Sequence, residues 1–133
     1  MTTAVACVAS LALLILGLGF AVSMTRAKKE QISGMNQDPE DLLYKLIRSH
    51  GNATEYVPIL AIMMLYLGSQ QPGPLMQALF IIVTAGRFIQ AYGMVSCRSL
   101  GAISPFRMAG SLSTYIGGLI LAIAMLLSLG GAG

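Results

Sequence analysis

Four apolar runs joined by short polar connections make up the chain, at approximately residues 3–24, 40–69, 74–96 and 108–130. A helix must stay apolar for about 20 residues to cross a hydrocarbon core of roughly 30 Å, and all four runs come close to that length. The strict alternation of a membrane β-barrel is absent. The pattern therefore predicts an all-α integral membrane protein, a bundle of four transmembrane helices forming one domain over residues 1–133. The first run has no basic residue ahead of it and is too long for the apolar part of a cleaved leader, so it reads as a membrane helix.

The second run is the irregular one. It opens with NQDPEDLLYKLIRSHGN, which offers Asp38 as N-cap, Pro39 at the first helical position, and Glu40 and Asp41 against the positive end of the helix dipole. Its uninterrupted apolar part, Val57 to Leu67, covers only about half of a roughly 30 Å core. Residues 48–56 must supply the rest, which puts Asn52 and Glu55 inside the membrane and Arg48 near its surface. Pro58 removes a backbone donor and predicts a kink beside Glu55. At 100° per residue, Lys45, Arg48, Asn52, Glu55 and Tyr56 fall within an arc of about 100°, whereas His50 points elsewhere. A polar stripe inside a membrane faces protein or a water-filled cavity. Two readings follow: the stripe is a structural ion-pair network, or it lines a site for a charged ligand.

In the third run, GRFIQAYG places Arg87 beside Gln90 and Tyr92. Arg87 either reaches back to the membrane surface or pairs with a carboxylate. Glu55 is the only acidic residue within the part of any run expected to lie at membrane depth, so an Arg87–Glu55 pair is the expectation. The fourth run carries Gly110, Thr114 and Gly118 at four-residue spacing, with Ser113 and Gly117 on the adjacent stripe. Small residues so spaced allow close helix contact, within a subunit or between subunits.

Composition agrees with the membrane reading. Hydrophobic residues make up 56% and charged residues 10%, against about 25% charged in an ordinary soluble domain. The net charge of +3 does not point to nucleic acid, because the cations collect in two loops. Arg26, Lys28, Lys29, Lys45 and Arg48 cluster around the connection between runs one and two, and Arg98 and Arg107 lie between runs three and four, while GSQQPGP between runs two and three is uncharged. By the positive-inside rule both basic loops face the cytoplasm and both termini lie outside. One histidine and two distant cysteines exclude the usual zinc spacings, and no phosphate loop or dinucleotide fingerprint is present. Cys7 and Cys97 fall at opposite faces of the membrane, beyond disulfide reach. The nine methionines read as adaptable packing.

LIRSHGNATEYVPI, followed in order by AGRFIQAYG and FRMAG, resembles the MAPEG family, membrane-associated proteins of eicosanoid and glutathione metabolism, and in particular its short bacterial members. The resemblance covers approximately residues 40–115. It implies a homotrimer in a bacterial inner membrane, with glutathione as thiol co-substrate bound between subunits near the cytoplasmic side. It implies conjugation of glutathione to a lipophilic electrophile, or reduction of a lipid hydroperoxide. Arg48, Asn52, Glu55 and Tyr56 match the family's glutathione-contacting block, and Arg87 and Tyr92 are further candidates for glutathione binding. The thiol-activating arginine of the family comes at the start of helix four, which makes Arg107 the first candidate and Arg98 the second. The tyrosine spacing after Arg87 departs from the eicosanoid synthases, and His50 stands where they carry another polar residue.

Arginines with one carboxylate complement the two carboxylates and amine of glutathione, and a guanidinium near the thiol favours the thiolate that attacks. The alternative within the family is a lipid-binding scaffold without catalysis. A small multidrug transporter also has four short spans, but such proteins carry a glutamate in the first helix, and here the first run has no ionisable residue before Arg26.

Overall fold

The computed structural model describes residues 1–130, with side chains described as far as Ser128. It contains four helices, α1 (Thr2–Lys28), α2 (Leu42–Ser69), α3 (Pro74–Ser96) and α4 (Pro105–Gly130). They run up, down, up and down. Ala4 packs on Gly68 and His50 on Gly19, which fixes α1 and α2 as antiparallel. Thr3 Oγ1 donates to Gln77 Oε1 at 2.9 Å, which places the N-terminal ends of α1 and α3 together.

Three helix starts follow different local chemistry. α2 begins later than expected: its N-cap is Asp41, whose side chain accepts from Tyr44 N at 3.0 Å. Asp38 instead accepts from Glu40 N at 2.9 Å, an Asx turn that leads into the cap rather than the cap itself. α3 starts at Pro74, where proline's missing N–H costs nothing. α4 begins a turn earlier than expected, because Ser104 Oγ accepts from Arg107 N and Pro105 takes the first helical position. Arg107 therefore belongs to the first turn of α4 rather than to the loop before it.

Among the described residues, α1, α3 and α4 are long and apolar enough to cross a membrane. The four expected helices are present, and α2 is the irregular one, as its polar first half suggested. At 28 residues, or about 42 Å, α2 is long enough, but the polar residues of its first half leave it outside that class. It packs against all three other helices, so much of its polar stripe meets protein. The faces suited to lipid belong to the others: Leu13, Leu16 and Phe20 of α1 and Leu119, Leu126 and Leu127 of α4 are exposed.

The apolar core fills the half of the bundle away from the charged loops. Leu11 of α1, Leu60 and Met64 of α2, Phe80 and Val83 of α3 and Leu121 of α4 meet there, with Cys7 among them as a small apolar filler. In the other half, α3 and α4 approach through glycines. A Cβ on Gly110 would lie 2.6 Å from Gly86 O and 2.7 Å from Gln90 N, and one on Gly93 would lie 2.7 Å from Arg107 N. These small residues of α4 thus serve packing within the subunit, and Gly117 continues the contact against Val83.

Candidate functional site

The charged end of the bundle is tied together by backbone carbonyls. Lys45, buried on α2, donates from Nζ to Cys97 O at 3.0 Å and Arg98 O at 3.4 Å, just past the end of α3. Leu100 N donates to Pro39 O at 2.9 Å, joining the loop before α2 to the loop before α4. The 97–104 connection is thereby folded over the helix ends. Its carbonyls at Leu100 and Ala102 accept from Arg107 Nη1 at 2.8 and 3.2 Å, which orients a guanidinium that would otherwise be repelled by the start of its own helix.

Beneath that loop lies a cavity of about 710 Å³ between α2, α3 and α4, within the range that small-molecule sites occupy. Its polar lining is Arg48 and Asn52 from α2, Gln90 from α3, and Ser104, Arg107, Ser111 and Tyr115 from the α4 side. Two guanidiniums line it, and no carboxylate does. Met108, Leu112 and Tyr115 line the cavity and are also exposed, so its rim runs into the exposed apolar surface of α4.

Behind this wall sits Arg87, only 1% exposed. Its Nη1 donates to Gln90 Oε1 at 2.6 Å and Thr114 Oγ1 at 3.3 Å. Its Nη2 donates to Asn52 Oδ1 at 2.7 Å and to Asn52 O at 3.2 Å. The guanidinium carbon lies 5.3 Å from the centre of the Tyr56 ring, a cation–π contact. Tyr56 in turn meets Tyr115 edge to face, with the two hydroxyls 3.2 Å apart. The expected Arg87–Glu55 pair does not form. Glu55 is exposed on the outer face of α2, and the one ion pair among the described residues joins Lys29 to Asp41 outside the spans. The reason is register: Asn52 and Gln90 fall on the inward faces of α2 and α3 and take the guanidinium with neutral oxygens, while Glu55, three residues beyond Asn52, is rotated by about 60° onto the exposed side of α2.

Among curated proteins and among solved structures, nothing matches the chain. The sequence model of the MAPEG family matches residues 4–127, nearly the whole chain. The chain belongs to the MAPEG family. It is therefore a member of a family of membrane proteins associated with eicosanoid and glutathione metabolism.

In this MAPEG chain, Arg48, Asn52 and Arg107 come together in the cavity wall, although they lie on two helices and far apart in sequence. Arg87 and Tyr56 form the layer behind them. Three other candidates stand apart. Arg98 is exposed and outside the cavity, and contributes only its carbonyl to Lys45. Tyr92 is exposed and packs edge-on against Phe106 with ring centres 5.5 Å apart. Glu55 faces outward. No group of three or more metal-binding side chains occurs among the described residues.

Two cavity residues carried no clear signal in the sequence. Gln90 lies three residues after Arg87, one helical turn away, and that spacing could have marked it as a partner. Tyr115 sits in a run of small and apolar residues that reads as packing, and nothing local distinguishes it.

Proposed function

We propose that this MAPEG protein is a glutathione-dependent membrane transferase or peroxidase, with glutathione held in the cavity below the 97–104 loop. The observation that carries this reading is a cavity with two guanidiniums, no carboxylate, and a rim that merges into the exposed apolar side of α4. An anionic peptide fits the inner wall, and a lipophilic partner reaches the rim from the bilayer. Arg48 and Arg107 supply charge-assisted hydrogen bonds to carboxylates or to a thiolate.

Arg107 is the thiol-activating residue in this account. Its Nη1 is held by two carbonyls, which leaves the rest of the guanidinium to face the cavity beside the N-terminus of α4. Both features favour an anion, so a thiol there releases its proton to water more readily. The thiolate then forms a sulfur–carbon bond as the leaving group departs with its electron pair. With a hydroperoxide, the sulfur takes the terminal oxygen and the alcohol departs. A second glutathione then converts the sulfenic acid to disulfide and water.

The outer face of α2 supports association of subunits, for which the proposed assembly is a homotrimer. Arg48, Glu55, Ile59 and Ile62 are exposed along it, and charged side chains at membrane depth face protein or water rather than lipid. Covering this face with neighbouring subunits would bring Glu55 to a subunit boundary, where it can receive the amine of glutathione. The cavity lies at the basic end of the bundle, which under the positive-inside rule is the cytoplasmic side, with both termini outside, and a bacterial inner membrane is the setting we propose.

Calorimetric titration of glutathione into the detergent-solubilised protein tests the reading. Saturable binding that Arg48→Ala weakens roughly tenfold or more, with the oligomer intact, is the expected result. Absence of binding at millimolar glutathione, together with binding of lipophilic ligands, would instead establish a lipid scaffold.

A further inference from the structure

The Arg87 network decides which atoms two cavity residues can offer. A guanidinium donates hydrogen bonds and accepts none, whereas a carboxamide has an oxygen that accepts and a nitrogen that donates. Arg87 takes Asn52 Oδ1 at 2.7 Å and Gln90 Oε1 at 2.6 Å, one with each terminal nitrogen. Neither amide can turn over without placing an N–H against another N–H. Thr114 cannot replace them as acceptor, because its hydroxyl already donates to Gly110 O at 2.8 Å and accepts from Arg87 at 3.3 Å. Both amides also line the cavity, and neither amide nitrogen donates to a protein group among the described residues.

We propose that Arg87 is a positioning residue that fixes Asn52 and Gln90 with their NH2 groups toward the cavity, so that its inner wall offers donors and selects carboxylate oxygen. The inference rests on the reading of this cavity as the glutathione site. It removes Arg87 from direct contact with ligand and adds Gln90 to the residues that meet it. It also accounts for a buried cation with no carboxylate partner among the described residues: the charge is balanced when an anionic ligand arrives. An Arg87–Glu55 ion pair would have cancelled that charge and left the two amides free to rotate.

Isosteric acids separate this role from a structural one. In Asn52→Asp and Gln90→Glu a carboxylate oxygen replaces the amide oxygen and still accepts from Arg87, but nothing remains to donate to the cavity. The measurement is the affinity for glutathione and for its diester, in which both carboxylates are esterified and the amine is kept, alongside the unfolding temperature in detergent. Wild type should prefer glutathione over the diester. Each acid variant should unfold no earlier than wild type, yet lose roughly tenfold to a hundredfold in glutathione affinity and most of that preference.

Arg87→Lys keeps the charge but replaces the fork with a single ammonium that cannot hold both amides, so the preference should fall there too. Undiminished preference in both acid variants, or in a folded Arg87→Lys, overturns the proposal while leaving the glutathione site standing. No glutathione binding by wild type overturns the site reading, and this inference with it.

Discussion

Arg87 and Asn52, on α3 and α2, are joined twice: Nη2 of the arginine donates to the side-chain oxygen at 2.7 Å and to the backbone oxygen at 3.2 Å. The backbone contact has a tertiary rather than a local cause. Pro58 carries no N–H, but the carbonyl it would bond lies at residue 54; Asn52 O is shared because the guanidinium reaches it from the neighbouring helix. The two terminal nitrogens of a cation with 1% exposure are thus met by neutral oxygens from α2, α3 and α4, while its Nε has no hydrogen-bond partner among the described residues. Replacing it by alanine removes these bonds and leaves a void, so Arg87→Ala should lower stability by about 3 kcal/mol, read from unfolding in detergent. A loss near zero would show that the network does not hold the three helices together.

The contact between α3 and α4 depends on missing side chains. In Gly110→Ala the new methyl meets backbone, Gly86 O at 2.6 Å and Gln90 N at 2.7 Å, which cannot rotate away. The variant should lose about 1–3 kcal/mol and also weaken ligand binding, because Gln90 is displaced. Gly17→Ala is the internal comparison. Nothing lies within 4 Å of the added methyl, and the helix interior should gain up to about 1 kcal/mol.

The ends of the helices were partly legible in the chain, and the reasons differ. Gly73–Pro74 marks the start of α3 unambiguously, since only a first-turn position accepts proline without loss. At α2, Asp38 and Asp41 are both competent caps, and sequence alone does not say that the first makes a turn while the second caps. The polar stripe of α2 was visible from its periodicity, because a helical arc depends only on spacing. The partner of Arg87 was not. Opposite charge suggested Glu55, but rotation about α2 and the packing of α3 decided for Asn52 and Gln90, and these are tertiary facts.

The one ion pair among the described residues ties the end of α1 to the cap of α2. The Lys29 ammonium, and then the Tyr44 N–H, hold the Asp41 carboxyl below its ordinary value of 3.8. A depressed acid stabilises the fold above its unfolded pKa and loses that contribution as pH falls through the folded value. Wild type should therefore be more stable than Asp41→Asn at neutral pH, and the difference should shrink as the solution is acidified below about pH 4. Unfolding temperature against pH for the two proteins checks this; a gap that widens in acid would contradict the assignment.

The Tyr56–Tyr115 pair connects the layer behind the cavity to its rim. Tyr115→Phe removes the 3.2 Å hydroxyl contact but keeps the edge-to-face ring packing. It should cost about 1 kcal/mol or less in stability. Tyr115→Ala also removes the ring, which is largely exposed, and should cost about 1–2 kcal/mol, so comparison of the two by unfolding separates the hydrogen bond from the ring packing.

The central claim is that Arg107 turns a bound thiol into a thiolate. The direct measurement is the ultraviolet absorbance of thiolate as glutathione is titrated into the detergent-solubilised protein, comparing wild type with Arg107→Ala. Wild type should give a saturable thiolate signal that Arg107→Ala abolishes while the oligomer remains intact. An undiminished signal in Arg107→Ala, or no signal in a folded wild type, would contradict the claim.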